Sequence, residues 1–224
     1  LEKIVVADIV CLVLLIGVEL LRALRCAAQN RILRKIIYLD ESTGLPNKNK
    51  CEEILSDPTP LGEEESTAVC VFDLNNLRII NNNLGHDKGD EYIRSFAEQL
   101  RLAVDPESFV GRDGGDEFIA IFQKTDHSKM RETLKKIRTQ MKNYSAKHPE
   151  MPISYAAGYA ISLDFAGSTL RELFRLADKN MYVDKNRAKI EEAAQKQQKA
   201  YELLEWIKKE KYHFSDCLYC DALM

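Results

Sequence analysis

An α/β sandwich, one sheet packed between helices, is the fold class this sequence predicts, on three observations. From Asp40 onward, short apolar runs of strand length alternate with stretches of helical periodicity; two of those runs flank a glycine-rich turn; and 224 residues, 45% hydrophobic and 30% charged, suffice to bury one core. In order, a first helix follows the entry segment Asp40-Glu41-Ser42-Thr43-Gly44-Leu45-Pro46-Asn47, and Ala68-Val69-Cys70-Val71-Phe72 is a short buried-strand pattern. Leu77, Ile80 and Leu84 mark a short amphipathic helix, the turn-rich Gly85-His86-Asp87-Lys88-Gly89 follows, and Asp90 opens another helix whose Ile93, Phe96, Ala97 and Leu100 form one packed face. Val110 to Ala120 reads as a strand hairpin, with a helix at Met130 to Tyr144, a strand at Ile153 to Ile161 and a helix at Leu170 to Arg187 after it.

The hairpin carries the densest chemistry. In Val110-Gly111-Arg112-Asp113-Gly114-Gly115-Asp116-Glu117-Phe118-Ile119-Ala120, two glycines free the backbone to approach phosphate oxygens, and two carboxylates follow at once. Phosphates and carboxylates repel, so the juxtaposition makes sense with a hard dication between them; an ordinary glycine-rich hairpin with solvated acids is the plain alternative. A second carboxylate, Asp73, ends the buried run before Leu74-Asn75-Asn76, where it could ligate a metal together with Asp116 or simply cap the next turn. Asn81 and Asp90 together could read a guanine edge, since an amide donates and accepts while a carboxylate accepts; as a loop amide and a helix cap they would do neither, and spacing leaves both readings open.

Asp73-Leu74-Asn75-Asn76-Leu77-Arg78, Gly85-His86, Gly89-Asp90 and Gly111-Arg112-Asp113-Gly114-Gly115-Asp116-Glu117-Phe118, in that order, resemble the GGDEF family of diguanylate cyclases. The entry segment from Asp40 is similar to that family's first motif, and Asp178 to Tyr182 with Lys185 resembles its closing helix, so the likeness runs from about Asp40 to Lys189. It implies a nucleotidyl-cyclase-like, ferredoxin-like antiparallel sheet flanked by helices, and an enzyme that condenses two GTP into cyclic di-GMP with release of two pyrophosphates, each domain of a homodimer holding one GTP. It also implies roles: Asp73, the Leu74 carbonyl and Asp116 for magnesium, with manganese as the alternative ion; Asp116 and Glu117 as the catalytic acids; Asn81 and Asp90 for guanine; and Gly114 and Gly115 beneath the phosphates. Arg78, Lys185 and Lys189 are the phosphate-binding cations, Arg78 standing for the usual lysine and Lys189 for the usual arginine, where charge survives but bidentate geometry does not. Asp105-Pro106-Glu107-Ser108 occupies the register where many members carry an Arg-x-x-Asp product-inhibition site, and Arg101 is out of register, so the usual product inhibition is not expected.

Composition excludes other classes. A net charge of −3 with dispersed arginines gives no surface for nucleic acid, and the four histidines stand beside no nucleophile motif of a hydrolase. The reading divides the chain into a membrane segment and signalling helix at 1–39, a cyclase domain at 40–190 and a helical extension with a cysteine-containing tail at 191–224. Ile4 to Leu24 is apolar nearly all round and just long enough to cross a bilayer, with Arg22, Arg25, Arg31, Arg34 and Lys35 as a cytoplasmic-side signal; a buried dimer helix is the alternative. That reading places the chain at the bacterial inner membrane with its catalytic domain in the cytoplasm, or wholly in the cytoplasm if the helix does not span. Leu21, Leu24, Ala28, Ile32, Ile36 and Leu39 continue a stripe that could pair with a twin helix or pack on its own domain. Since the chain opens on Leu1, further sequence is expected upstream. At the other end, Glu191 to Lys211 reads as a solvated helix, and His213, Cys217 and Cys220 supply three of the four ligands a structural zinc needs. Cys11, Cys26, Cys51 and Cys70, each alone in an apolar or helical setting, are expected as small buried residues.

Overall fold

A computed structural model describes residues 16–27, 29, 33, 35–62 and 66–220, the side chains of residues 188, 192 and 207–220 excepted. The elements are α1 (Lys48–Leu55), β1 (Thr67–Leu74), α2 (Leu77–Leu84), α3 (His86–Ala103), β2 (Phe109–Gly114), β3 (Glu117–Gln123), α4 (His127–Lys147), β4 (Tyr155–Ile161), a 3-10 turn (Ser162–Asp164) and α5 (Leu170–Cys220). The four strands form one sheet in the order β2-β3-β1-β4, every neighbouring pair antiparallel, as the resemblance implied.

Strand periodicity explains the layers. Along β1, Ala68, Cys70, Phe72 and Leu74 face one core with Phe96, Phe118, Met130 and Ile137, while Val69 and Val71 face another with Ile119, Ile121, Leu173, Ala177 and Met181. Both faces of β1 are covered, so Ala68–Phe72 is continuously apolar and the strand is buried along its whole length. Phe72, Phe96, Phe118 and Tyr155 knit the first core through tilted and edge-on ring contacts, with centroids 4.9 to 6.1 Å apart.

Several predicted boundaries shift. Helix α3 begins at His86, so Gly85 through Gly89 is not a turn and Asp90 does not cap it; Gly85 alone, at φ 89°, breaks the chain between α2 and α3. Leu84, predicted on the apolar face of α2, is 55% exposed, whereas Leu77 and Ile80 do pack on the core. The helix predicted from Met130 starts at His127 because Asp126 accepts from the Lys129 amide as its cap. The last strand starts at Tyr155 rather than Ile153. Thr169 and Glu172 form a reciprocal capping box at the start of α5, and nothing stops that helix at Arg187, so it runs on through the predicted extension to Cys220. Cys51 and Cys70 are buried as expected, but Cys26 is exposed on the leading helix.

Residues 4–15 of the predicted span, with Cys11, lie outside the described residues, as do Ala28, Arg31, Ile32, Arg34 and the side chains of His213, Cys217 and Cys220. Among the described residues no helix is long and apolar enough to cross a membrane. Leu21, Leu24 and Ile36 are exposed, whereas Leu39, 38% exposed, is bridged to Pro46 of the domain.

Candidate active site

Strand parity and register build the site. Asp73 has the parity of Val69 and Val71, and Glu117 that of Ile119 and Ile121, so both carboxylates stand on the face covered by α5. The register pairs Asp73 directly with Glu117. Like charges opposite one another on a sheet repel, and this pair lies where Asp73 is only 5% exposed. Burial pushes the Glu117 carboxyl above its ordinary value, and the charges of Asp73, Asp113, Asp116 and Asp178 push it further the same way.

Helix α5 brings the balancing charge. It lies so close on β4 that a Cβ at Gly158 would stand 2.0 Å from the Met181 amide nitrogen, and the Asp184 carboxylate accepts from the Ala157 amide at 3.1 Å. One residue further, Lys185 reaches back to β1 and its Nζ donates to both oxygens of Asp73, at 2.6 and 2.7 Å. Lys189 stands exposed one turn beyond it.

The turn between β2 and β3 is held from the other side. Gly115, at φ +44°, takes a conformation that a side chain would strain, and its carbonyl accepts from Arg112 Nε and Nη2 at 3.1 and 2.8 Å. Arg112 Nη1 donates to both oxygens of Asp40 and to Ser42 Oγ, while Asp40 also accepts from the Thr43 amide and hydroxyl and from Ser42. Burial alone would raise the Asp40 carboxyl, but the Thr43 and Ser42 hydrogen bonds and the Arg112 charge outweigh it and hold it below the ordinary value. Half-buried Asp116 is joined to β1 through its backbone, its carbonyl accepting from the Leu74 amide at 2.9 Å.

On α2, Asn81 lies against Gly89 of α3, the residue before Asp90. A Cβ on Gly89 would lie 1.8 Å from Asn81 Oδ1, so the Asn81 amide rests on the α3 backbone one residue before Asp90. Arg78 is exposed on α2, and no bond joins it to the acidic cluster among the described residues. The segment after Asp73 is fixed by Tyr92, whose fully buried phenol donates to the carbonyls of Asn75 and Ser154 and accepts from the Ser154 amide.

The donor set suits a hard dication. Magnesium takes one or two carboxylates and leaves its other positions to water and phosphate oxygens, a demand that Asp73 and Asp116 meet in kind; among the described residues no group of three His, Cys, Asp or Glu side chains could hold a metal ion. Sequence reasoning singled out the acids and Lys185 but not Arg112, Asp40 or Tyr92. Arg112 and Asp40 lie 72 residues apart, so no local pattern announces their pairing.

Comparison with known proteins shows the family and the fold. The sequence model of the family described as "Diguanylate cyclase, GGDEF domain" matches residues 37–191. The GGDEF domain of DgcB from Caulobacter crescentus, solved in complex with c-di-GMP, superposes with a TM-score of 0.58 at 25% identity, over 66% of this chain and 90% of that one. Among curated proteins, the cyclic di-GMP phosphodiesterase PdeR of Escherichia coli is 28% identical over 70% of this chain and 24% of its own length, and the signaling protein YkoW of Bacillus subtilis is 32% identical over 70% and 20%. A diguanylate cyclase of Vibrio cholerae is 29% identical over 50% of this chain and 34% of its own length. The chain thus spans about a quarter or less of the first curated relatives it matches.

Proposed function

We propose, for a chain that belongs to the diguanylate cyclase GGDEF-domain family, that it condenses two GTP into cyclic di-GMP with release of two pyrophosphates. The observation that carries this reading is the cross-strand pair of buried Asp73 and exposed Glu117, beside a glycine turn and with a lysine of α5 on Asp73. Such a pair accumulates negative charge that a phosphate-bound dication would neutralise.

Asp73, Asp116 and the Leu74 carbonyl would hold magnesium or manganese, which when bound neutralises triphosphate charge and acidifies the attacking hydroxyl. The chain's own residues do the positioning. Gly114 and Gly115 bring backbone amides to the phosphates, Lys185 and Lys189 from α5 and Arg78 from α2 supply positive charge, and Asn81 with Asp90 selects guanine by its hydrogen-bonding edge. Asp116, with the Glu117 carboxylate beside it, accepts the proton as the 3′-hydroxyl attacks the α-phosphorus of a second GTP; the new P–O bond forms as the bond to pyrophosphate breaks, and a second round closes the ring.

One domain holds one GTP, so turnover requires two copies facing each other. The exposed Leu21, Leu24 and Ile36 ahead of the domain support pairing of two chains there, with upstream input acting through helix register; the segment ahead of it anchors the chain at a membrane. The missing Arg-x-x-Asp motif supports a cyclase without the usual product inhibition.

Relatives named as cyclic di-GMP phosphodiesterases favour a second reading, a nucleotide-binding regulatory module without turnover. Incubation of the dimeric protein with GTP and magnesium separates the two. Cyclic di-GMP that vanishes in Asp116→Asn supports the enzyme, and tight GTP binding with no product supports the module.

A further inference from the structure

We propose that Lys185 and a dication are alternative occupants of Asp73, so that Lys185 withholds this carboxylate from metal until a nucleotide triphosphate draws the ammonium away. The inference rests on the cyclase reading and concerns the order in which its site is filled. Lys185 Nζ bonds to both Asp73 oxygens, at 2.6 and 2.7 Å, and so occupies the two atoms through which this carboxylate would ligate a metal. Asp73 is 7% exposed at its side chain and Lys185 27%, so the pair is too dry for solvent to screen the repulsion between an ammonium and a second cation on the same oxygens. Among the described residues no other group donates to the Asp73 carboxylate.

What can break the pair is a stronger anion. Lys185 is a compact charge on a flexible stem, anchored at its backbone by the contact of α5 with Gly158 and by the Asp184 bond to Ala157, so it can swing without moving the helix. A triphosphate offers more negative charge than one carboxylate, and Lys189 one turn on adds a second cation for it. Once Lys185 transfers to a phosphate oxygen, Asp73 and Glu117 are left facing each other without a counter-ion, and their repulsion favours a dication arriving with the nucleotide. Metal and nucleotide then bind with positive coupling, each strengthening the other.

The test is manganese binding to the full chain without nucleotide, followed by the electron paramagnetic resonance of free ion. Lys185→Met should bind manganese about tenfold more tightly than wild type, a change in the range expected for altering a group that contacts a metal ligand. Lys189→Met removes the same charge from the same helix without touching Asp73 and should stay within about twofold, because an exposed charge a turn away is largely screened. A non-hydrolysable GTP analogue should tighten manganese binding more in wild type than in Lys185→Met. Unchanged or weaker nucleotide-free affinity in Lys185→Met, or equal tightening in Lys189→Met, overturns the proposal. Circular dichroism melts check that the variants fold, and Lys185→Gln carries the comparison if the methionine variant does not. Failure of the wild type to make cyclic di-GMP would strike the cyclase reading and leave this titration readable.

Discussion

Two cation–carboxylate pairs flank the turn between β2 and β3, and they are built to different ends. Arg112 and Asp40 are 15% and 22% exposed at their side chains, and each has further partners: Ser42 and the Gly115 carbonyl for the arginine, Thr43 and Ser42 for the aspartate. Lys185 and Asp73 are bonded to each other, and the aspartate faces a second carboxylate across the strands. A pair whose members are multiply bonded fixes a shape, because no single ligand can replace all its partners. A pair resting on one flexible ammonium, beside unneutralised charge, is ready to exchange. The first holds the turn in place; the second is the one we propose gives way to ligand.

The largest effect that separates the two sides should come from Asp116→Asn. If the acidic side is the catalytic one, cyclic di-GMP synthesis falls by about a thousandfold or more while the thermal midpoint moves by about 2 °C or less. A coupled pyrophosphate assay and a melting curve on the same preparation measure both.

Gly158→Ala tests how α5 delivers Lys185. The added methyl would meet the Met181 nitrogen at 2.0 Å and the Ala177 oxygen at 2.4 Å, both backbone, so the helix must lift from β4. Overpacking of this kind costs about 3 kcal/mol. Urea denaturation should show that loss, and wild-type stability would mean that the helix seat is not rigid.

Next in size is the strut itself. Asp40→Asn and Arg112→Met should each destabilise by about 2 kcal/mol, and the double variant by about 1 kcal/mol less than their sum, since each single change leaves the other's partner unpaired. The pH dependence has a definite sign. Folding holds the Asp40 carboxyl below its ordinary value, so the unfolded chain takes up the proton first. Its contribution is fully present above the ordinary aspartate value of about 3.9 and is lost as pH falls through the lower folded value. The stability gap between wild type and Asp40→Asn should therefore be constant from pH 5 to 7 and close below about pH 4.

Much of this was legible in the chain, and what escaped did so for physical reasons. Continuous apolar runs such as Ala68–Phe72 and the apolar face Ile93, Phe96, Ala97 and Leu100 announce themselves because burial acts on each residue separately. The Gly-Gly-Asp-Glu turn is likewise local. Which carboxylate faces Asp73 was not readable, because it depends on the β1–β3 register, which sets Glu117 opposite and leaves Asp116 in the turn. The Arg112–Asp40 and Lys185–Asp73 pairs span 72 and 112 residues, and only the folded sheet brings them together. The start of α3 was misplaced because Gly85 and Gly89 look like a turn, although Gly89 is glycine for a different reason, its contact with Asn81.

That contact gives the smallest and most selective effect. Gly89 lies inside α3, so Gly89→Ala removes a helix penalty worth about 0.5–1 kcal/mol, and the opposing clash is with the end of a flexible side chain, Asn81 Oδ1, which can rotate away. Stability should hold or rise slightly. The displaced amide would no longer meet a guanine edge beside Asp90, so preference for GTP over ITP, which lacks the 2-amino group, should drop by about tenfold, close to the worth of one hydrogen bond to a charged or well-placed partner. Measuring KM for both nucleotides isolates the effect, since Asp73, Asp116 and Lys185 are untouched and kcat should stay within about threefold. A variant that is both more stable and less selective would show that this glycine serves base recognition rather than chain reversal, whereas an unchanged GTP preference would detach Asn81 from the nucleotide altogether.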